Sequence, residues 1–190
     1  YSRMLIVEAF KYNNDYENAI KNAYKLLYLL NGKMSNKECL KQYWTCTIMA
    51  GNTLHRDVEY VCNDTVVTLE SCKTKKIKSY VLEDNDFYQE GRKVLKTEII
   101  RTTSELGIEL INRKKDEFII FKDEKYIIKD IKDKYTYFSH ICFDNIGIEK
   151  DKNIKIFRTS ENNVEEFAKQ LKEQLNEIEE SKNKQLDIYQ

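Results

Sequence analysis

The sequence has no proline, five glycines, two histidines and one tryptophan in 190 residues. Histidine occurs only at positions 55 and 140, and the five cysteines form no C-x-x-C pair. No zinc-finger spacing and no dithiol redox motif is therefore present, and no metal or other cofactor is expected. So few glycines build no phosphate-cradling loop, and there is no G-x-S-x-G elbow to present a serine nucleophile. No window reaches the ~18 apolar residues of a membrane span; the most apolar run is Leu26–Leu30. Charge of one sign is lacking too, with 32 basic and 32 acidic residues. Residues 1–95 carry 14 basic and 12 acidic side chains and the remainder 18 and 20. Neither half is a basic arm, so bulk nucleic-acid binding is not indicated. An odd number of cysteines, at 39, 46, 62, 72 and 142, points to reduced thiols and an intracellular, cytoplasmic protein. The chain opens on Tyr1 rather than Met, as a trimmed or processed product would.

With 41% apolar and 34% charged residues, the chain has a globular composition. The hydrophobic period divides it. Ser2 to Tyr12 and Asp15 to Leu30 read as two helices. Leu5, Ala9 and Tyr12 share one face of the first; Tyr16, Ala19, Ile20, Ala23, Leu26, Leu27 and Leu30 line the second at spacings of three and four. A third helix runs to about Asn52 on a stripe of Leu40, Tyr43, Trp44, Thr47 and Ile48. Arg56 to Cys72 fits a helix, yet Thr65–Leu69 also has strand propensity; the helix is preferred for want of a signalled hairpin partner. Ile77 to Val81 alternates as a short strand. From about Lys96 the period becomes 2, predicting strands at Glu98–Thr103, Gly107–Ile111, Glu117–Phe121, Lys125–Ile131, Tyr135–Asp144 and Ile154–Arg158. A long amphipathic helix follows, with Val164, Phe167, Ala168, Leu171, Leu175 and Ile178 as its apolar stripe. The expected fold is α+β: a helical part over 1–72, a connection over 73–95, a β-rich domain with its terminal helix over 96–181, and a tail over 182–190.

Two resemblances accompany this reading. Glu8 to Ile20 (EAFKYNNDYENAI) resembles the centre of a tetratricopeptide helical hairpin, with Asn14 where that family has its turn glycine. The match covers one hairpin where such arrays stack about three. The antiparallel meander closed by one helix, over about Lys96 to Glu180, resembles the pleckstrin-homology superfold. It lacks that fold's usual tryptophan in the closing helix and has Phe167 in a comparable place. By this resemblance the Arg113, Lys114, Lys115 loop would hold anionic lipid headgroups, although Asp116 and Glu117 follow at once. A peptide groove beside the closing helix would involve Tyr137, Phe138, Phe167 and Leu171.

The residues themselves offer little catalytic chemistry. Cys142 and His140 form the only local thiol–imidazole pair, on one face if the segment is a strand. The carboxylate pairs Asp84/Asp86 and Asp130/Asp133 stand in lysine-rich turns and read as solvated charge. The expected function is a non-catalytic protein-binding or scaffold module whose partner is another protein. The alternatives are a peripheral membrane adaptor reading an anionic surface, and an enzyme whose site is dispersed along the chain.

Overall fold

The computed structural model describes residues 2–30, 37–51 and 57–146. The described residues belong to one compact unit that ends at Ile146. The expected last strand at Ile154–Arg158 and the closing helix with Phe167 and Leu171 lie outside the described residues.

The architecture is α+β. Helices α1 (Ser2–Tyr12), α2 (Tyr16–Leu29) and α3 (Lys37–Ala50) come first, as their period predicts. Asn14 turns the chain between α1 and α2 at φ 58°, and the Asp15 carboxylate caps α2 by accepting from the Asn18 backbone N–H at 3.2 Å. Ala19, Ile20, Ala23, Tyr24, Leu27 and Tyr28 are the buried face of α2. The expected face of α1 is corrected: Leu5, Ala9 and Tyr12 point to solvent, and Val7 is the fully buried residue.

Among the described residues six strands follow in one mixed sheet: β1 (Thr65–Ser71), β2 (Ile77–Leu82), β3 (Lys93–Val94), β4 (Thr97–Ile100), β5 (Phe118–Phe121) and β6 (Glu124–Asp133). Their order is β3-β4-β2-β1-β6-β5. β2 and β4 run parallel, and every other pair is antiparallel. The sheet is thus not the antiparallel meander the spacing suggests.

Three elements differ in kind from the sequence reading. The Arg56–Cys72 segment supplies the central strand β1, not a helix. Its β-branched run is buried on both faces, between β2 and β6. Gly107–Ile111 lies mostly in helix α4 (Glu105–Leu110), not a strand; the Ser104 hydroxyl caps it by accepting from Gly107 N–H at 3.2 Å. Tyr135–Asp144 belongs to helix α5 (Lys134–Ile146), not a strand. The Asp133 carboxylate starts α5, accepting from the N–H groups of Tyr135 at 2.9 Å and Thr136 at 3.2 Å. The sheet therefore begins at residue 65, inside the part expected to be helical, and a helix follows β6 where a strand was expected.

Alternation along the strands gives the sheet two faces. One carries Val67, Leu69, Leu82, Ile100, Ile119 and Ile128, packed with Leu106 and Leu110 of α4 and with Val61. The other carries Val66, Val81, Ile99 and Thr97, all buried. There the Thr97 hydroxyl donates to the Tyr137 hydroxyl of α5 at 3.4 Å. α5 also packs on α3, whose Tyr43 hydroxyl donates to the Tyr135 carbonyl at 3.1 Å.

Candidate functional site

Two features stand out, and their chemistry differs. The first is buried. Lys134, at the start of α5, places its Nζ 2.5 Å from Asp64 Oδ1 and 2.5 Å from Glu83 Oε2. The rings of Tyr24, Tyr135 and Tyr88 surround the ammonium at 5.0, 5.2 and 5.9 Å from their centroids. Burial lowers the affinity of this amine for its proton, but Tyr135, Glu83 and Asp64 outweigh it and hold Lys134 protonated above its ordinary range. Burial pushes the Glu83 carboxyl up, against the pull of Lys134. An amine kept charged is no nucleophile and no base. The cluster acts as a clamp joining the start of α5 to Asp64, just before β1, and to Glu83, just after β2.

The second feature is an open cleft of about 510 Å³ over the face of the sheet that α4 only partly covers. β2 contributes Lys78 and Tyr80, β4 contributes Glu98, and the start of α4 contributes Glu105. The β5–β6 hairpin adds Phe121, Lys122, Glu124 and Tyr126, and Glu90 closes one side. The sheet register sets Tyr80 beside Glu98. Burial, and then the Glu98 charge, raise the Tyr80 phenol above its ordinary range. Glu124 accepts hydrogen bonds from the Ser71 hydroxyl and from the Tyr126 hydroxyl, the latter at 2.6 Å. Those two bonds hold its carboxyl below the usual range, so it stays ionised. The same bond from Tyr126 is the main reason that phenol is pushed up to about 12. Four carboxylates thus face two ammonium groups among three aromatic rings. Glu90, Glu98 and Glu105 enter no ion pair among the described residues. This arrangement attracts a cation and offers aromatic surface to its aliphatic stem.

The residues singled out from the sequence lie elsewhere. Arg113, Lys114 and Lys115 connect α4 to β5 rather than forming a hairpin loop. Arg113 pairs with Glu117 at 3.5 Å, and Lys114 pairs with Glu59 at 2.5 Å and covers the Tyr60 ring at 4.5 Å. Phe138 is fully buried against Tyr24, with ring centroids 5.3 Å apart, and Tyr137 is half-buried across it. Both stand on α5 and line no strand groove; Phe167 and Leu171 are outside the described residues. Cys142 is buried, its thiol pushed up to about 12 by desolvation, whereas His140 on the same helix is exposed. Two residues apart on a helix, they face different sides, so the same-face pair expected of a strand does not form. His55 lies outside the described residues. Among the described residues, Asp84 caps Thr102 by accepting from its N–H and hydroxyl, and Asp86 lies 3.8 Å from Arg101. No group of three His, Cys, Asp or Glu side chains that could hold a metal occurs among the described residues.

No protein-family model matches the chain, and no curated protein matches it. Among solved structures, the GreA factor homolog 1 (Gfh1) protein of Thermus thermophilus is similar to it, with 13% identity over 66% of this chain and 93% of that one and a TM-score of 0.33. A likeness that slight carries no argument about fold or role.

Proposed function

We propose that the protein is a non-catalytic protein-binding module that receives a basic segment of a partner in the cleft over β2, β4 and the β5–β6 hairpin. The observation that carries this reading is the excess of carboxylates, Glu90, Glu98, Glu105 and Glu124 against Lys78 and Lys122, in a cleft walled by Tyr80, Phe121 and Tyr126. The volume suits a few side chains of a peptide. Lysine and arginine stems lie on aromatic rings while their charged ends meet carboxylates. The test is selection from a random peptide display library, followed by anisotropy titration of the selected sequences. Basic peptides should be enriched, their affinity should fall with salt, and Glu98→Lys should weaken them at least tenfold while Glu38→Lys on α3 leaves them unchanged. Selection of sequences without basic residues, or indifference to Glu98→Lys, would overturn the reading.

The tetratricopeptide likeness of α1–α2 gains support from Asn14, which takes the left-handed conformation at the family's glycine position, and from buried Ala19 and Ala23. The exposure of Ala9 goes against it. The pleckstrin-like reading now rests on the closing helix, outside the described residues. The adaptor reading through Arg113, Lys114 and Lys115 has weaker support than the cleft, because Arg113 and Lys114 are already paired with carboxylates. The dispersed-site enzyme has no observation in its favour.

A further inference from the structure

We infer that β5 is the edge through which two copies of this chain pair, antiparallel and centred on Ile119. Among the described residues β5 is an outer strand of the sheet, and its four residues, Phe118-Ile119-Ile120-Phe121, carry no charge and no proline. Charge and proline are among the devices that ordinarily protect a strand edge. The opposite edge, β3, is only two residues long and includes Lys93. On β5, Phe118 is 49% and Ile120 67% exposed, and both lie on the sheet face away from α4.

The turn fixes which backbone groups are open. Lys122 and Asp123 both have positive φ, 51° and 60°, as a two-residue type I′ connection requires. Such a turn makes Phe121 and Glu124 a hydrogen-bonded pair. Alternation then directs Ile119 N–H and C=O toward β6 and those of Phe118 and Ile120 outward. No backbone hydrogen bond engages these outward groups among the described residues. They are two donors and two acceptors, two residues apart.

A second copy satisfies all four at once in one register. With the two-fold axis perpendicular to the sheet at Ile119, Phe118 of each copy opposes Ile120 of the other, giving four hydrogen bonds. Shifting the axis to Phe118 or Ile120 leaves half of those groups unpaired. The same register sets Phe118 and Ile120 of the two copies side by side, covering the exposed apolar pair on each. It also brings Lys122 of one copy against the Asp116–Glu117 end of the other, twice. Backbone pairing, apolar contact and charge all favour the same arrangement, whose outcome is one continuous sheet across both copies.

Sedimentation velocity over a concentration series tests this. The wild type should pass from monomer to dimer as concentration rises. Ile120→Lys, at an exposed position, should remain monomeric with an unchanged circular dichroism spectrum, and Ile48→Lys on α3 should dimerise like the wild type. Lys122→Glu should weaken the dimer at least tenfold, and adding Asp116→Lys should restore it. A wild type that stays monomeric throughout, an Ile120→Lys protein that dimerises normally, or a double variant that fails to recover would each overturn the inference.

Discussion

At the scale of single residues, the informative positions are polar groups in apolar surroundings. Lys134 is held by two carboxylates, so removing it leaves Glu83 buried without its cation. Lys134→Met should destabilise the fold by about 3–5 kcal/mol, the usual cost of breaking one side of a buried pair, measured by urea unfolding. Tyr24, in the same cluster, is the opposite case. Its hydroxyl is buried and has no hydrogen-bond partner among the described residues. Deleting it removes a desolvated donor while keeping the ring over the ammonium, so Tyr24→Phe should leave stability unchanged or raise it by about 1 kcal/mol. A loss of more than that would show that the hydroxyl has a partner. Burial also raises the phenols of Tyr24, Tyr43 and Tyr88, and that of Tyr135 to about 12, above the ordinary value of 10.0. Between those values the folded state holds more protons than the unfolded chain, so stability falls as pH rises past 10. Tyrosinate absorbance should therefore show these phenols ionising together with unfolding, and their ionisation in a still-folded protein would contradict this.

At the scale of elements, legibility followed local chemistry. α1 to α3 were readable because polar and apolar residues alternate at 3.6 and Asn14-Asp15 and Gly51 punctuate them. β1 is a strand where a helix is expected, although its run of Thr and Val is strand-like; its hairpin partner β2, Ile77–Leu82, is an alternating segment only five residues on. In α5 both periods fit. Tyr135, Tyr137, Ile141 and Phe143 alternate, but Phe138, Cys142 and Ile146 recur every four residues, and the second set is the buried one. Asp133 as a cap was the signal that decides between them. The register bringing Tyr80, Glu98, Tyr126 and Glu124 to one cleft could not be read, because the parallel β2–β4 pairing is long-range. Ser104 similarly marked α4, where Gly107 carries a packing demand. A Cβ at Gly107 would stand 2.0 Å from the Arg101 carbonyl oxygen and 2.9 Å from that of Thr102. Helix propensity favours Gly107→Ala by roughly 1 kcal/mol, but the clash is with backbone and cannot be relieved by a rotamer. The substitution should cost about 1–3 kcal/mol net, and a stabilised variant would mean that α4 sits further from that turn.

At the scale of the whole described unit, the question is whether the helical layer and the sheet open together. Polar ties join them: Tyr28 Oη accepts from Gln89 N–H and from Arg92, each at 3.2 Å, and Tyr137 of α5 meets Thr97 of β4. Lys134 fastens α5 to the strand ends on either side. These links span the two layers, so their loss should be cooperative. The cysteines report on this without mutation. None of the five is in a disulfide. Cys46 on α3 and Cys142 on α5 are buried, with thiols pushed up to about 11 and about 12 by desolvation, whereas Cys62, just ahead of β1, is exposed. Only a thiolate reacts with an alkylating reagent, and only where the reagent can reach it. In native buffer Cys62 should label first. Cys46 and Cys142 should label together, at a rate set by global unfolding and shortened in parallel by urea. Peptide mass mapping of a labelling time course reads all three positions in one sample. If Cys142 instead labels well ahead of global unfolding, α5 detaches from the sheet by itself, and the Lys134 clamp does not couple the two layers.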